Sequence, residues 1–461
     1  MAESFLLHAG LAPLDREIRP PLSGAEALAE ANRCLFCYDA PCTRACPTHI
    51  DVPLFIQQIA TGNTAGSART IFAANVLGSS CARVCPTEEL CEGACVLGDQ
   101  HKPIAIGPLQ RYATDHALRL GLPILTPGPA VAAGTSAPTV GIIGAGPAGL
   151  ACAAELLRQG YRSVIYEQAD QPGGLNTFGV AQYKMTPGAA LAEVEALARS
   201  GLDIRCGVRV GKNGTVTLAE LESRHAAIFI GVGMGAIPGI GLPGEELPGV
   251  WDALDFISAL KLGNPEVIKL VSKASVAVIG GGNTSIDVTT QAVRAGAAKV
   301  WLLYRRGPAH MPAYPHEVHL ALAHGIDMVY HAVPRRILGS EDGQLRGIEL
   351  QTVPADGSPA DSRSPSDSTV VLEASIVVRA TGQRGAGLAA ELPVRTTAKG
   401  VVEVDAWGRT SHPRYYAGGD CTSGGQEVVN AVEAGKRAAQ SMIRELLTPL
   451  GQVDAAQAQA E

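Results

Sequence analysis

Apolar residues recur along this chain with two different periods, and each period predicts a different kind of element. In the first 60 residues, alanine, leucine and isoleucine fall at helical spacing in Gly24–Asn32 and Val52–Ala60, which predicts a helical N-terminal module. From Thr139 onward, short apolar runs end in glycine-rich turns that open helical patterns, first at Thr139 and again at Ser275. This alternation predicts two α/β units, the second inserted into the first.

Stretches without either period mark the expected linkers and loops. Residues 121–138 are rich in Pro, Gly and Ala, which predicts a linker. Residues 355–368 are polar and turn-forming, which indicates a surface loop. The tail over 451–461 is expected to be disordered. We assign no function to the loop or to the tail.

Composition narrows the function before any motif is considered. The chain has 461 residues, of which 46 % are hydrophobic and 18 % charged, as is typical of soluble proteins with several domains. A net charge of −7 argues against binding of a nucleic-acid backbone. The N-terminal residues lack the pattern of an export signal, and the longest uncharged apolar stretch, Thr139–Ala154, is too short to cross a bilayer. We therefore expect a cytoplasmic protein with no nucleic-acid or membrane partner.

Cysteines are concentrated in the helical module. Eight of the eleven form two runs, Cys34-x2-Cys37-x4-Cys42-x3-Cys46-Pro47 and Cys81-x3-Cys85-Pro86-x4-Cys91-x3-Cys95. In a reducing compartment such thiols more often bind metal than form disulfides, and their number fits two [4Fe–4S] clusters. A proline after a cysteine recurs in bacterial ferredoxins. The alternatives are buried thiols without metal and structural zinc, although zinc favours two separated Cys-x2-Cys pairs and this chain has one.

The first glycine-rich turn has the sequence context of a dinucleotide site. A predicted strand, Thr139–Ile143, leads directly into Gly144-Ala145-Gly146-Pro147-Ala148-Gly149 and a helix. The first glycine permits the tight turn, the second lets a pyrophosphate approach the helix N-terminus, and the third permits close packing of helix and strand. Glu167 ends the next strand, where its carboxylate can accept hydrogen bonds from a ribose.

Two later motifs indicate that this first site binds FAD. Gly173-Gly174-Leu175 follows the second strand, and Tyr416-Ala417-Gly418-Gly419-Asp420 lies further along, an order that is typical of two-domain flavoproteins. Asp420 would face the ribityl chain. We also assign Lys184, Glu427 and Val428 to the cofactor-binding residues. The alternative for the whole set is a packing turn with surface carboxylates.

The second glycine-rich turn repeats this logic and indicates a nicotinamide dinucleotide. The predicted strand Ser275–Ile279 leads into Gly280-Gly281-Gly282-Asn283-Thr284, with Ser285 in place of the third glycine. Arg305 and Arg306 follow the next strand, where they either pair with the 2′-phosphate of NADPH or lie in solvent. Ala380-Thr381-Gly382 marks the expected return to the first unit. No Cys-x-x-Cys follows the linker, which disfavours a disulfide relay.

With these motifs in hand, the chain resembles the N-terminal half of dihydropyrimidine dehydrogenase and its stand-alone bacterial small subunit. The glutamate synthase small subunit is a cousin. The matching motifs are CLFCYDAPCTRACPTHIDVPLFI, CARVCPTEELCEGAC, IGPLQRYATD, GAGPAGL, YRRG and YAGGD. They are spread over roughly 400 residues, which makes the resemblance specific.

The resemblance implies which residues hold each cluster. One cluster would be ligated by Cys34, Cys37, Cys42 and Cys95, and the other by Cys46, Cys85, Cys91 and Gln110. The neutral amide of Gln110 makes its cluster one unit less negative than four thiolates would, which alone eases reduction. The glutamate synthase small subunit tends to carry Glu at this position. Cys81 is then a spare thiol beside a cluster.

The resemblance also implies the domain plan. We expect a helical N-terminal iron–sulfur domain followed by two α/β Rossmann-like nucleotide-binding domains, with the second inserted in the first. The expected bounds are 1–120 for the domain that binds both clusters, 121–138 for the linker, 139–253 and 384–450 for the FAD-binding domain, and 254–383 for the NAD(P)H-binding domain.

The function that the resemblance implies is electron input to dihydropyrimidine dehydrogenase. Electrons would pass from NADH or NADPH through FAD and the clusters to an FMN-containing catalytic subunit that reduces uracil or thymine. Pro312 stands where the NADPH-dependent eukaryotic enzyme has an arginine, so the choice of nicotinamide cofactor stays open. No FMN barrel is recognised in these residues, so we expect a heteromer. The alternatives are electron input to glutamate synthase or another reductase, and a cluster-carrying scaffold without a nicotinamide site.

Overall fold

The computed structural model describes residues 16–129, 138–352 and 369–447. Part of the expected linker, all of the expected surface loop and the tail after residue 450 lie outside these ranges. The chain divides into two compact units. The larger unit comprises Arg19–Thr177, Gly188–Gly235 and the residues from Arg384 onward, and the smaller unit comprises Phe178–Pro187, Ala236–Gln383 and the residues up to Ile18.

Helices account for most of the N-terminal module and alternate with strands after it. In chain order, the α-helices of the described residues are α1 (Gly24–Ala31), α2 (Pro41–Ala45), α3 (Val52–Ala60), α4 (Thr64–Ala74), α5 (Gly78–Val84), α6 (Ile106–Arg119), α7 (Pro147–Arg158), α8 (Leu175–Phe178), α9 (Pro187–Arg199), α10 (Leu218–Arg224), α11 (Ala253–Lys261), α12 (Pro265–Val271), α13 (Asn283–Arg294), α14 (Pro315–Ala323), α15 (Asp420–Ser423) and α16 (Val428–Met442). Short 3-10 helices cover Val96–Asp99, Pro308–His310 and Gly387–Ala390, and a π-helical turn covers Ile443–Leu447.

The strands begin only after the helical module. In chain order they are β1 (Thr139–Ile143), β2 (Arg162–Tyr166), β3 (Asp203–Arg205), β4 (Ala227–Ile230), β5 (Val250–Asp252), β6 (Ser275–Gly280), β7 (Lys299–Leu303), β8 (Asp327–Val329), β9 (Ala332–Gly339), β10 (Leu345–Thr352), β11 (Thr369–Leu372), β12 (Ile376–Ala380) and β13 (Tyr415–Ala417).

Local sequence signals set the ends of helices in the N-terminal module. Ser23 and Glu26 form a capping box at the start of α1, and Asp51 caps α3 by accepting the N–H of Leu54. Apolar residues at helical spacing then turn one face of each helix inward. The core between α1, α3, α4 and α6 contains the buried side chains of Ala31, Phe55, Ile56, Ile71, Phe72 and Leu109.

A five-stranded parallel sheet forms the α/β part of the larger unit. Its strand order is β13-β4-β1-β2-β3, so β1 lies in the middle. Helices α7 and α16 pack so closely that a Cβ at Gly435 would lie 2.2 Å from the carbonyl oxygen of Ala148. The main segment of the smaller unit, Ala236–Gln383, lies between β4 and β13 in the chain, so the smaller unit is an insertion between two strands of this sheet.

The helical module and this sheet share one core within the larger unit. A continuous buried cluster extends from Phe55 and Leu109 in the module to Ile142 on β1. Polar contacts join the same surfaces, because Arg158 Nη2 donates to the carbonyl of Phe72 at 3.2 Å and Lys436 Nζ donates to that of Ala74 at 2.9 Å. Close-packed cores resist deformation, so the cysteine-bearing helices are held firmly against the first nucleotide fold.

The smaller unit contains a second parallel sheet and a three-stranded antiparallel sheet. The parallel order is β5-β12-β6-β7-β8, and the antiparallel order is β11-β10-β9. Central strand β6 buries Val276 and Val278 completely. The fold class predicted from the sequence is thereby confirmed, while the bounds given above for each domain stay predictions. Within the described ranges, no helix has the length and apolarity needed to cross a bilayer.

Candidate functional site

The first candidate cluster site lies where the two cysteine runs meet. One cavity is lined by the thiol-bearing residues Cys34, Cys37, Cys42 and Cys95. Burial, with the nearby Cys34 and Cys95 thiols, raises the pKa of the Cys42 thiol to about 11. An isolated thiolate is therefore disfavoured in this cavity, whereas the positive charge of iron would stabilise it. The four residues that the sequence assigned to one cluster are brought together here.

A second group of thiols surrounds Cys85 at the end of α5. A hydrogen bond with the Cys81 thiol raises the pKa of the Cys85 thiol well above its ordinary value, and burial and the neighbouring Cys91 and Cys46 raise it further. Cys81 is itself buried and accepts a hydrogen bond from Asn75 Nδ2 at 3.2 Å. The thiol that the sequence left without a ligand role therefore lies inside the second group.

Gln110 on α6 contacts α5, the helix that contains Cys81 and is followed by Cys85. Its Nε2 donates to the carbonyl oxygen of Gly78 at 2.7 Å, and Gly78 is the first residue of α5. This hydrogen bond fixes the plane of the amide. The amide oxygen is the atom of Gln110 that can ligate iron, because the amide nitrogen is a donor. The side chain is buried, as a cluster ligand requires.

Neither thiol group resembles a site for a single ion. Among the residues that the structure describes, no three His, Cys, Asp or Glu side chains converge closely enough to hold one metal ion. A [4Fe–4S] cluster makes a different demand, because its four protein ligands surround a whole cubane of iron and sulfide. Buried, soft thiol donors fit that demand.

The first glycine-rich turn brings backbone against backbone. After β1, Gly144 adopts a φ of 101°, and α7 begins at Pro147 without a side-chain cap. A Cβ at Gly149 would lie 2.0 Å from the carbonyl oxygen of Gly144, and a Cβ at Gly174 would lie 2.8 Å from the Cα of Gly146. Only glycine fits such contacts, and the uncapped N–H groups of α7 suit a pyrophosphate.

Glu167, directly after β2, holds this turn in place. One carboxylate oxygen accepts the N–H of Ala145 at 2.7 Å, and the other accepts the N–H of Ala169 at 2.8 Å. Each oxygen retains a lone pair that a ribose hydroxyl could use. The sequence indicated Glu167 as a ribose contact but did not reveal this role in fixing the turn.

Other residues assigned to FAD lie in the larger unit at the ends of its elements. Asp420 begins α15 next to β13, and its carboxylate accepts the N–H of Gln426 at 3.1 Å. Burial raises the pKa of Asp420. Glu427 and Val428 are the N-cap and first residue of α16, and Leu175 begins α8. Their roles in binding stay predictions.

Lys184 belongs to the smaller unit, where two carboxylates bind it. Its Nζ lies 2.8 Å from Asp287 Oδ1 and 2.6 Å from Glu317 Oε1, and the hydroxyl of Tyr183 also donates to Asp287 at 2.7 Å. Burial lowers the pKa of Lys184, but the two carboxylates raise it by more. The sequence gave no sign of this ion triad, because its members are far apart in the chain. That Lys184 binds a cofactor stays a prediction.

The second glycine-rich turn packs against the end of the next strand. Gly280 adopts a φ of 158°, and Gly282 caps α13 without a side-chain hydrogen bond. A Cβ at Gly281 would lie 2.5 Å from the ring of Tyr304. Ser285 stands in place of the third glycine and is fully buried. The buried hydroxyl is accommodated because it donates to the carbonyl of Gly282 at 2.6 Å.

The segment after β7 lies beside this turn. Asn283 Oδ1 accepts the N–H of Tyr314 at 3.0 Å, which ties the start of α13 to the start of α14. Arg305 and Arg306 are both exposed, and the guanidinium of Arg306 lies 5.5 Å from the ring centroid of Tyr304. Exposed arginines at this place can meet an adenosine phosphate, and they can equally remain in solvent.

Strand β12 completes the second site. Ala380 pairs with Gly280 in the parallel register, and a Cβ at Gly280 would lie 2.5 Å from the carbonyl oxygen of Ala380. Gly382 adopts a φ of 97° two residues later. The predicted residues Ala380, Thr381 and Gly382 therefore follow the strand that neighbours the glycine-rich turn.

Family models match both parts of the chain. Residues 138–435, more than half of the sequence, match the model described as pyridine nucleotide-disulphide oxidoreductase. The chain belongs to this family. Residues 14–122 match a model described as dihydropyrimidine dehydrogenase domain II, 4Fe-4S cluster. The second match favours iron–sulfur clusters over the zinc alternative in the cysteine module.

Relatives match this member of the family over nearly its full length. The putative oxidoreductase AegA of Escherichia coli K12 is 34 % identical, covering 93 % of this chain and 67 % of AegA. The glutamate synthase [NADPH] small chain of the same organism is 32 % identical, covering 93 % of both chains. The NAD-dependent dihydropyrimidine dehydrogenase subunit PreT of Escherichia coli K12 is 33 % identical, covering 92 % of this chain and 96 % of PreT. The resemblance found from the motifs is confirmed.

Solved structures share the fold of the α/β part. The thioredoxin reductase of T. acidophilum superposes with a TM-score of 0.53 at 21 % identity, covering 66 % of this chain and 97 % of that one. FprA of Mycobacterium tuberculosis, in complex with NADPH, gives a TM-score of 0.53 at 20 % identity, covering 70 % and 89 %. The family models and the relatives above make the chain an NAD(P)H-dependent flavin and iron–sulfur oxidoreductase, and the solved structures show the same fold.

Proposed function

We propose that this chain is the electron-input subunit of a dihydropyrimidine dehydrogenase and delivers electrons from NADH or NADPH to an FMN-containing catalytic subunit. The observation that carries the proposal is the buried Gln110, whose amide is fixed by Gly78 beside the second thiol group. Glutamate synthase small subunits tend to carry Glu at this position. The similarity to PreT over nearly its whole length supports the same conclusion.

Two sets of residues would hold the clusters, and two glycine-rich turns would hold the nucleotides. The first cluster falls to Cys34, Cys37, Cys42 and Cys95, and the second to Cys46, Cys85, Cys91 and Gln110. We assign FAD binding to the turn at Gly144–Gly149 with Glu167 and Asp420. We assign nicotinamide cofactor binding to the second glycine-rich turn, at Gly280–Gly282. When bound at these residues, FAD would supply hydride acceptance and single-electron release, and the clusters would supply single-electron transfer.

The chain's own residues contribute position and exclusion of water. Glu167 holds the first turn by two backbone N–H groups, so that the uncapped start of α7 stays aimed at a pyrophosphate. The shared core keeps both thiol groups firmly placed against this fold. Burial raises the pKa of the Cys42 thiol, and the Cys81 hydrogen bond and burial raise that of Cys85, so thiolates at these positions would need the positive charge of iron to stabilise them.

For the nicotinamide cofactor, we propose that NADH is used well. Pro312 offers no charge to a 2′-phosphate, which removes one contact that would favour NADPH, and Arg305 and Arg306 are exposed side chains. PreT is named as a subunit of an NAD-dependent enzyme, whereas the glutamate synthase chain is named with NADPH.

Electron input to glutamate synthase is the second candidate. The small chain of that enzyme is as similar to this protein as PreT is, with 32 % identity over 93 % of both chains. The position of Gln110 is what favours dihydropyrimidine dehydrogenase, so the two candidates must be separated by experiment.

The test pairs the purified holoprotein with each acceptor subunit in turn. With an FMN-containing dihydropyrimidine dehydrogenase catalytic subunit, we expect NADH oxidation coupled to uracil reduction. With a glutamate synthase large subunit, we expect no NADH-dependent glutamate formation. Reduction of a tetrazolium dye by the protein alone serves as the control for active flavin in every mixture. Glutamate formation without uracil reduction would reject the proposal in favour of the second candidate.

A further inference from the structure

A carboxylate of the α/β part is buried against α5, the helix that contains Cys81 and is followed by Cys85. Glu193 lies on α9 and has no exposed surface. Its Oε1 accepts the N–H of Ser79 at 2.7 Å, and its Oε2 accepts the N–H of Ser80 at 3.0 Å and the Ser80 hydroxyl at 2.6 Å. All of these residues belong to the larger unit. Glu193 therefore binds the first turn of α5 from the side of the nucleotide fold.

Burial of a carboxylate costs free energy unless hydrogen bonds compensate for the lost water. A buried carboxylate is destabilised by loss of water, and here burial raises the pKa of Glu193 to about 7 although the three hydrogen bonds and the charge of Arg83 lower it. Arg83 is itself bound to Asp115, with Nη2 2.9 Å from Oδ2. An apolar side chain at position 193 would leave the buried N–H groups of Ser79 and Ser80 and the Ser80 hydroxyl without this acceptor. The carboxylate fixes the position of the turn through its three hydrogen bonds.

The turn that Glu193 binds is also the turn that orients Gln110. Gln110 donates to the carbonyl of Gly78, while Glu193 accepts the N–H groups of the next two residues. The same helix ends at Cys85, whose amide donates to the carbonyl of Cys81. There is little room for this turn to move, because a Cβ at Gly78 would lie 2.5 Å from the side chain of Ile71. A shift at Glu193 would therefore reach both Gln110 and Cys85.

We propose that Glu193 is a positioning residue for electron transfer between the flavin fold and the second cluster. Its carboxylate fixes the turn 78–80 and, through that turn, the orientation of Gln110 and the place of Cys85. The inference rests on the ligand assignment in the proposed function, but it does not depend on which acceptor subunit receives the electrons.

The experiment uses the purified holoprotein and NADH, with no acceptor subunit. The test variants are Glu193→Gln, which keeps the shape but replaces one acceptor oxygen with a donor, and Ser80→Ala, which removes one hydrogen bond without changing any charge. The matched control is Glu195→Gln, an exposed glutamate two residues along the same helix. Iron, sulfide and FAD contents, the EPR signal and reduction potential of each cluster, and stopped-flow cluster reduction are measured.

We expect both test variants to change the EPR signal and potential of the second cluster and to slow its reduction, by about tenfold in Glu193→Gln and by less in Ser80→Ala. The first cluster, the flavin and the Glu195→Gln control should match the wild type. Selective loss of the second cluster in Glu193→Gln would also support the proposal. It is overturned if both clusters are lost equally, or if Ser80→Ala and Glu193→Gln leave the second cluster's signal, potential and rate unchanged while only the melting temperature falls.

Failure of the proposed function would look different. A protein that couples to glutamate synthase, or to neither acceptor, would still show these effects on the second cluster, because none of the measurements requires a partner. Conversely, a correct partner assignment would not rescue the proposal if the second cluster were insensitive to Glu193 and Ser80.

Discussion

Two non-glycine residues, one in the first cysteine run and one just after it, have a left-handed backbone conformation. Phe36 and His49 adopt φ angles of 51° and 53°, and they lie close to Cys34, Cys37 and Cys46 in the chain. Such a conformation costs about 1–3 kcal/mol per residue and persists only where the surroundings impose it. The bend at Phe36 lies between two cysteines that line the same cavity. Strain at these positions is thus tied to the arrangement of the thiols.

The division of thiols into two groups predicts two separable defects. Cys34→Ser should damage the first cluster, because Cys34 lines the first cavity, and Cys91→Ser should damage the second, because Cys91 lies by Cys46 and Cys85. Iron and sulfide content and EPR spectra of the purified variants check this. Cys206→Ser, a thiol of the α/β part, is the control. Equal loss of both cluster signals in each variant would contradict the division.

Local signals made some of these residues predictable. The glycines of both turns, Glu167 and the cysteine runs could be found from spacing, because each acts with neighbours that are close in sequence. The contact of Glu193 with Ser79 and Ser80 could not, since α9 and α5 are joined only by the tertiary fold. The same holds for Lys184 with its two carboxylates.

At the scale of elements, a buried histidine packs against the central strand β1 of the first sheet. His225 follows α10 and contacts the start of β1 and the end of β2, with its ring nitrogens 2.9 Å from the hydroxyls of Thr139 and Tyr166. A Cβ at Gly141 would lie 2.7 Å from its ring, so β1 is shaped to receive it. Burial, followed by the charges of Arg205 and Arg224, lowers the pKa of His225 to about 4.

This histidine predicts a pH dependence of stability. Its pKa is lower in the folded chain than in the unfolded chain, so between about pH 6.5 and pH 4 the unfolded state binds the extra proton. The stabilisation is complete above pH 6.5 and is lost as the pH falls toward 4. Melting temperature, followed by release of flavin fluorescence, should therefore fall more steeply in this window for wild type than for His225→Gln.

The control for that prediction is His101→Gln, which changes an exposed histidine. Its melting temperature should follow the wild-type curve at every pH. If His225→Gln follows the wild-type curve as well, another titrating group causes the acid sensitivity and the role given to His225 is wrong.

At the scale of the whole chain, two periodicities were enough to predict the fold class. The switch from helical spacing to strand, turn and helix reveals the order of the modules, because each nucleotide fold repeats one local pattern. The sequence could not show that the helical module and the first sheet share a single buried core, since that depends on which apolar faces meet. It also did not reveal that Phe178–Pro187 groups with the smaller unit.

The proposed electron path predicts that a change at the second cluster impairs coupled activity more than dye reduction. Gln110→Ala removes both the proposed ligand and the hydrogen bond to Gly78, so electrons that must pass the second cluster should be slowed. A dye that draws directly from the flavin should not be affected. We therefore expect NADH-dependent uracil reduction with the FMN-containing subunit to fall by about tenfold or more, and tetrazolium reduction to change by less than about twofold.

Flavin and iron contents must be measured in the same preparations, because collapse of the helical module would imitate a broken relay. Gln100→Ala, at an exposed glutamine of the same module, is the matched control and should retain both activities. Gln110→Glu separates the roles of ligation and packing, since a carboxylate can still ligate iron but makes the cluster more negative and harder to reduce. Equal loss of uracil and dye reduction in a Gln110→Ala protein with intact cofactors would show that the second cluster does not lie between the flavin and the partner.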